Sequence, residues 1–226
     1  MRRTSPAEFV LAHTRVRHAP FVPEVRLHLA EDSLELWEAT QVAVERGDLP
    51  PPFWAFVWAG GQALARHVVD HDVAADRHVV DIATGSGLVA VAAALSGART
   101  VTAYDVDPMA VAATKMNAKL NDVTVDVHET DVREVVVEPG TLVTVGDVFY
   151  DENIAAAMLP ALLSFVAAGA DVLVGDPHRA YLPNARLEPV ATYDVEVETD
   201  IEDSPIKPTL VARFLPILPT TRQAVS

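Results

Sequence analysis

From Gly61 onward the apolar positions switch repeatedly between a helical and an extended period. Helical spacing covers about Gly61–His71, then an Ala/Val-rich run ending near Gly97, then Pro108–Leu120 and Glu152–Val166. Between these lie short β-branched runs at His78–Ile82, Thr100–Tyr104, Val123–His128, Leu142–Val145 and Ala170–Val174, which read as strands. Strands alternating with helices predict parallel βαβ units and an α/β, doubly wound sheet covered on both faces. Two longer strands, about Glu188–Val197 and Thr209–Pro216, close the chain with no helix-length segment between them. That pair predicts a C-terminal antiparallel hairpin on a mostly parallel, seven-stranded sheet.

The first fifty residues follow a different pattern. Glu24–Leu29 alternates polar and apolar residues like a half-buried strand. Asp32 or Ser33 is placed to cap a helix carrying Leu34, Trp37, Val42 and Val44, and Gly47 with Pro50-Pro51-Pro52 ends it. The expected organisation is an N-terminal extension packing on the core (1–50), one domain (51–218) and a short tail (219–226). Half the residues are hydrophobic, enough to bury one ordinary core. The apolar run Ala90–Leu95 stops at Ser96-Gly97, too short for a bilayer. Glu8 and His13 interrupt the segment after Arg2-Arg3, so no signal-peptide core forms and no membrane association is expected.

Charge and cysteine usage narrow the chemistry. The formal net charge of −15 opposes nucleic-acid binding, which needs a basic surface. Such acidity serves solubility, or draws in a cationic partner. The chain has no cysteine, which removes disulfides, thiolate metal sites and cysteine nucleophiles and fits a cytoplasmic protein. His67 and His71 share a helical face with Asp70 between them, but no third ligand is apparent, so no metal is expected. Gly85-Ser86-Gly87 is not a nucleophile elbow.

The remaining candidates sit where strands of such a sheet end, the usual ligand-binding edge. Asp81-Ile82-Ala83-Thr84-Gly85-Ser86-Gly87 is a glycine-containing turn into a helix. It suits a dinucleotide or S-adenosylmethionine (AdoMet), and two details favour AdoMet. Ala90 meets the third dinucleotide position only loosely, and the Asp81 carboxylate would repel a pyrophosphate. Asp105 ends the second strand and is placed to accept hydrogen bonds from both ribose hydroxyls. Asp107 precedes Pro108 and reads as a helix cap. Asp131 either faces an adenine amine or solvates a loop. In Gly146-Asp147-Val148-Phe149-Tyr150-Asp151, Asp147 and Tyr150 either receive an incoming amine or belong to a capped helix start beside core aromatics.

Several separated motifs carry a resemblance. They are Pro52–Arg66 with its Trp54 and Trp58, the glycine turn, Asp105-Val106-Asp107-Pro108, Gly146–Glu152 and Gly175-Asp176-Pro177. In this order they resemble the electron transfer flavoprotein beta subunit lysine methyltransferases, class I proteins with a Rossmann-like seven-stranded sheet and a D-x-x-Y motif. The resemblance spans about residues 50–215. It implies AdoMet as cofactor, S-adenosylhomocysteine as product and a protein lysine as acceptor, the partner being an electron transfer flavoprotein beta subunit. It implies that Trp54 and Trp58, with Gly60 and Gly61, cover the cofactor, that Asp81, Ala83, Thr84, Gly85 and Gly87 hold its methionine part, and that Asp105 holds the ribose. Val106, Asp131 and Gly146 join the cofactor-binding set, while Asp147 and Tyr150 position the lysine. Ala83 stands where the family has glycine, and His178–Pro183 forms a divergent outer loop.

Other readings remain open at this stage: a small-molecule amine or heterocycle N-methyltransferase, an NAD-binding oxidoreductase, or a non-catalytic partner on a similar sheet. The hairpin ending and the Asp147–Tyr150 spacing weigh against the last two.

Overall fold

A computed structural model describes residues 5–31, 35–38, 40, 51–197 and 204–216. The chain opens with α1 (Pro6–His13), β1 (Arg15–Ala19) and β2 (Val22–Leu29), and a 3-10 turn follows at Phe53–Ala55. Then come α2 (Ala59–Asp70), β3 (His78–Ile82), α3 (Leu88–Leu95), β4 (Thr100–Asp105), α4 (Pro108–Leu120) and β5 (Asp126–Glu129). The order closes with β6 (Leu142–Gly146), α5 (Glu152–Ala167), β7 (Asp171–Asp176), β8 (Leu187–Glu196) and β9 (Ile206–Phe214).

The main sheet has seven strands in the order β5-β4-β3-β6-β7-β9-β8. Pairing is parallel from β5 through β7, and β9 pairs antiparallel with both β7 and β8. The expected α/β sheet and terminal hairpin are therefore present. Strand order reverses at β3, which opens a crevice at the carboxyl ends of β3, β4 and β6. One core lies between the sheet and α2, α3 and α4, centred on Leu64, Val68, Val91 and Leu142. A second lies beneath α5, where Phe149, Leu162, Phe165 and Phe214 are almost wholly buried.

Two expected edges shift. The third strand begins at Asp126 rather than Val123, because the Val123 N–H still bonds back to Ala118 at the end of α4. The N-terminal strand starts at Val22 and pairs with β1 in a separate two-stranded sheet. Helix α1 was not expected, although Ser5-Pro6-Ala7-Glu8 carries its signal: a reciprocal capping box with proline in the first turn. Residues 35–38 are helical within the predicted Leu34–Val44 segment, and its caps Asp32 and Ser33, with the tail from 219, lie outside the described residues.

The β1–β2 hairpin docks on α4 through two asparagines. Asn121 Oδ1 accepts the Arg26 N–H at 2.9 Å, and its Nδ2 donates to the Arg26 carbonyl. Asn117, fully buried, accepts the His28 N–H at 2.7 Å and donates to the Ser86 carbonyl in the glycine turn at 2.8 Å. One side chain thus spans the hairpin and the turn. Among the described residues no helix is long and apolar enough to cross a membrane.

Candidate active site

A cavity of about 570 Å³ fills the crevice, a size that suits a cofactor together with part of an acceptor. One side of it is built on the ends of β3 and β4. Ala83 and Gly85 both take left-handed backbone angles (φ 53° and 56°), which folds the turn tightly and brings its N–H groups inward. Asp105 fixes that turn: its Oδ2 accepts the Gly85 N–H at 2.9 Å and its Oδ1 the Asp107 N–H at 3.0 Å. Burial raises Asp105 above the usual carboxylate range, and these N–H donors pull the other way. Val106, Asp131 and Val132 continue the wall.

Not every expected residue reaches the wall. Gly60, Asp81, Thr84 and Gly87 stand behind it, while Trp54, Trp58, Ala83, Gly85, Asp105, Val106, Asp131, Gly146, Asp147 and Tyr150 line it. Asp81 is buried and accepts the hydroxyls of Thr84 (2.6 Å) and Thr144 (2.7 Å), so it supports the turn from beneath. Gly87 caps α3, and a Cβ there would lie 2.8 Å from the Thr114 methyl. Asp131 caps the short turn at Val132–Glu134 and forks onto Arg133 at 2.6 and 2.8 Å, which lowers it to about 2. Asp107 caps α4, as its place before Pro108 predicts.

Burial pushes Asp81 up to about 6 and Asp176 up to about 7, against the pull of their hydrogen-bond donors. A carboxylate raised in the folded state binds more protons folded than unfolded between roughly pH 4 and 7, so stability falls as pH rises through that window. Asparagine at position 81 can still bond both threonines without carrying charge. At pH 8, Asp81→Asn is expected to exceed the parent stability by up to about 3 kcal/mol, and below pH 4 the two should converge. Urea unfolding at both pH values reads this out.

The other side is built around Asp147. It directly follows β6 with φ 57°, a left-handed conformation that aspartate tolerates better than most residues. Its side chain reaches the N-terminus of α2, where Oδ2 accepts the Gly60 N–H at 2.8 Å. Helix α2 has no side-chain cap from its own N-cap residue, Trp58, so Asp147 supplies one from another element. Close packing allows this: a Cβ on Gly60 would lie 2.3 Å from the Gly175 carbonyl oxygen. Arg179 meets the other oxygen, with Nε 2.6 Å from Oδ1, and its guanidinium lies 5.9 Å from the Trp58 ring centroid. Asp176 anchors that loop by accepting the Arg179 N–H at 2.6 Å, while its buried Oδ2 has no hydrogen-bond partner among the described residues.

Aromatic residues complete the wall. Phe53 packs edge-on against Trp58 (5.6 Å) and against Tyr150 (5.2 Å), and Trp37 lies 6.0 Å from Phe53. Burial, then the charges of Asp105, Asp151 and Asp147, push the Tyr150 phenol up to about 12. Asp151 is the cap of α5, accepting the Asn153 and Ile154 N–H groups. Sequence reasoning missed Arg179, whose contact with Asp147 crosses 32 residues. Far from this site, His67 shares a hydrogen bond with Tyr193 at 3.1 Å, and the His71 ring lies tilted beside it at 4.5 Å between centroids.

A seven-stranded sheet ending in a hairpin, with a glycine turn and a strand-end carboxylate at its reversal point, is the arrangement of a class I AdoMet-dependent methyltransferase. The family model for ribosomal protein L11 methyltransferase (PrmA) matches residues 62–172. The electron transfer flavoprotein beta subunit lysine methyltransferase of Xenopus laevis is 33% identical over 220 residues, covering 94% of this chain and 88% of that one. Its Danio rerio counterpart is 38% identical over 176 residues, covering 76% and 67%. A solved Pyrococcus horikoshii structure described as a candidate RNA methyltransferase superposes with a TM-score of 0.57 at 16% identity, covering 79% of this chain and 97% of that one, a likeness of fold. The chain belongs to the electron transfer flavoprotein beta subunit lysine methyltransferase family.

Proposed function

We propose that the chain methylates the side-chain amine of a lysine on a protein substrate, an electron transfer flavoprotein beta subunit, in the cytoplasm. One observation carries the reading: Asp147 and Tyr150 face the same cavity as Asp105 and the Ala83–Gly85 turn, so acceptor and donor groups converge. The activity named for the Xenopus and Danio relatives supports the choice of acceptor.

The residues fit AdoMet. Asp105 has lone pairs left for two ribose hydroxyls, the turn has no side chain at Gly85 to obstruct the methionine part, and Val106 and Val132 offer apolar surface to an adenine. AdoMet supplies a methyl group on a sulfonium: the amine forms the N–C bond as the C–S bond breaks with its electron pair on sulfur, and an amine proton leaves to water. Everything else is alignment. Asp147 accepts an N–H from the amine and so points its lone pair toward the donor side. Tyr150 and Phe53 enclose the lysine stem, and Trp58 shields the reacting atoms from water.

Purified flavoprotein beta subunit and radiolabelled AdoMet test the reading, with peptide mapping to locate the label. Label on a lysine supports it, and label only in a small-molecule fraction of whole lysate overturns it. Within the same assay, Asp105→Ala should raise the AdoMet Kd by about 10- to 100-fold, the loss of one or two charge-assisted hydrogen bonds. Calorimetry measures it.

A further inference from the structure

The cavity wall is acidic. Asp105, Asp107, Asp131 and Asp147 line it, and the only basic side chain among its described lining residues is Arg179. That arginine is held in place: its Nε is 2.6 Å from Asp147 Oδ1, its guanidinium lies over Trp58, and its backbone N–H is fastened to Asp176. The side chain is mostly buried, being about one-fifth exposed. A uncompensated Asp147 would stabilise an ammonium ion and so oppose the deprotonation that a lysine nucleophile requires. Free lysine titrates at about 10.4, leaving little neutral amine near pH 7.

We infer that Arg179 is a positioning residue for methyl transfer, one that neutralises Asp147 and holds the acceptor amine in its neutral, nucleophilic form. The inference rests on the lysine methyltransferase reading above. Geometry gives each part its task. Asp147 keeps one oxygen on the Gly60 N–H and the other on Arg179, so its orientation is set before an acceptor arrives. Asp147 lines the cavity, so its carboxylate can meet an amine N–H there while the attraction for an ammonium is offset. A guanidinium within several ångströms of the amine then lowers its pKa by about 1 unit or more, as like charges do at that range.

Among the described residues, the other ionisable groups around the amine leave a window for a test. Tyr150, pushed up to about 12, stays protonated, and Asp176, raised to about 7, has titrated before pH 8. Asp105, Asp107 and Asp131 line the cofactor side, and Asp151 is engaged in capping α5. The rise of kcat between pH 8 and 10.5 therefore reports the amine.

The experiment is a kcat profile over that range for the wild type, Arg179→Gln and Arg179→Lys, with flavoprotein beta subunit as acceptor. S-adenosylhomocysteine binding by calorimetry certifies each variant's fold. Arg179→Gln should move the inflection upward by about 1 unit or more, lose about tenfold at pH 8 and recover toward the wild-type rate at pH 10.5. Arg179→Lys should keep the inflection near its wild-type place. A rate lowered equally at every pH, with the inflection unmoved, overturns the role and leaves the lysine methyltransferase reading intact. No transfer by the wild type overturns that reading and this inference with it.

Discussion

Asp147→Asn is expected to lower kcat/KM by about 100-fold or more while leaving AdoMet binding nearly unchanged. Asparagine is the informative substitution because it tolerates the left-handed backbone at this position, whereas alanine would add strain of its own. Its Oδ1 can still accept the Gly60 N–H and so preserve the cap on α2. What it loses is the charge that meets Arg179 and one of the two acceptor oxygens that align an amine. Misalignment of a reacting pair by a fraction of an ångström costs on this scale. Thermal unfolding should show a modest loss, about 1–2 kcal/mol, from the weakened contact with Arg179. Radiolabel transfer together with calorimetry separates the two effects. Half the parental activity, with binding intact, would remove Asp147 from the role assigned to it.

Gly60→Ala should be strongly destabilising. The added methyl would lie 2.3 Å from the Gly175 oxygen, 2.8 Å from the Asp147 nitrogen and 2.9 Å from the Gly175 carbonyl carbon. All three are backbone atoms of strand ends and cannot rotate away, so the start of α2 must lift off the sheet. About 3 kcal/mol or more of stability should go, with Tm falling by roughly 6 °C or more. The neighbouring Gly61→Ala is the control, since a Cβ there meets nothing within 4 Å. That change should be neutral or stabilising by about 0.5–1 kcal/mol, as alanine usually is over glycine in a helix. Equal melting temperatures for the two variants would refute the packing argument.

Much of the architecture was legible because its signals are local. Parallel strands buried on both faces read as apolar runs, and Pro108 after Asp107 marks a helix start whose observed bounds agree with the pattern. The glycine turn, Asp105 and the Asp147–Tyr150 spacing are each contained in a few consecutive residues. What escaped depends on contacts between distant segments. Asp81 reads as an inward-facing ligand group in a motif, yet Thr144, 63 residues away, draws it down under the turn. Nothing adjacent to Arg179 announces a partner, because Asp147 reaches it only when β6 and β7 lie side by side. Helix α1 is a different case. Its capping box was present in the sequence and simply short, and only its packing against α4 raises eight residues above marginal helicity.

Asn117 gives the N-terminal hairpin a stake in catalysis. Its amide is shared between two tenants: β2 uses the oxygen and the glycine turn uses the nitrogen. Peeling away the hairpin would leave a buried acceptor without its donor and free the amide to rotate. The turn would then be restrained from one side fewer, and part of any ligand's binding energy would go into restoring its shape. By the reciprocity of linked equilibria, a ligand seated on the turn must in return tighten the hairpin's hold on α4. Amide hydrogen exchange at Arg26 and His28, whose N–H groups the two asparagines engage, would slow on adding S-adenosylhomocysteine. The first thirty residues would thus serve as a remote gauge of an occupied active site.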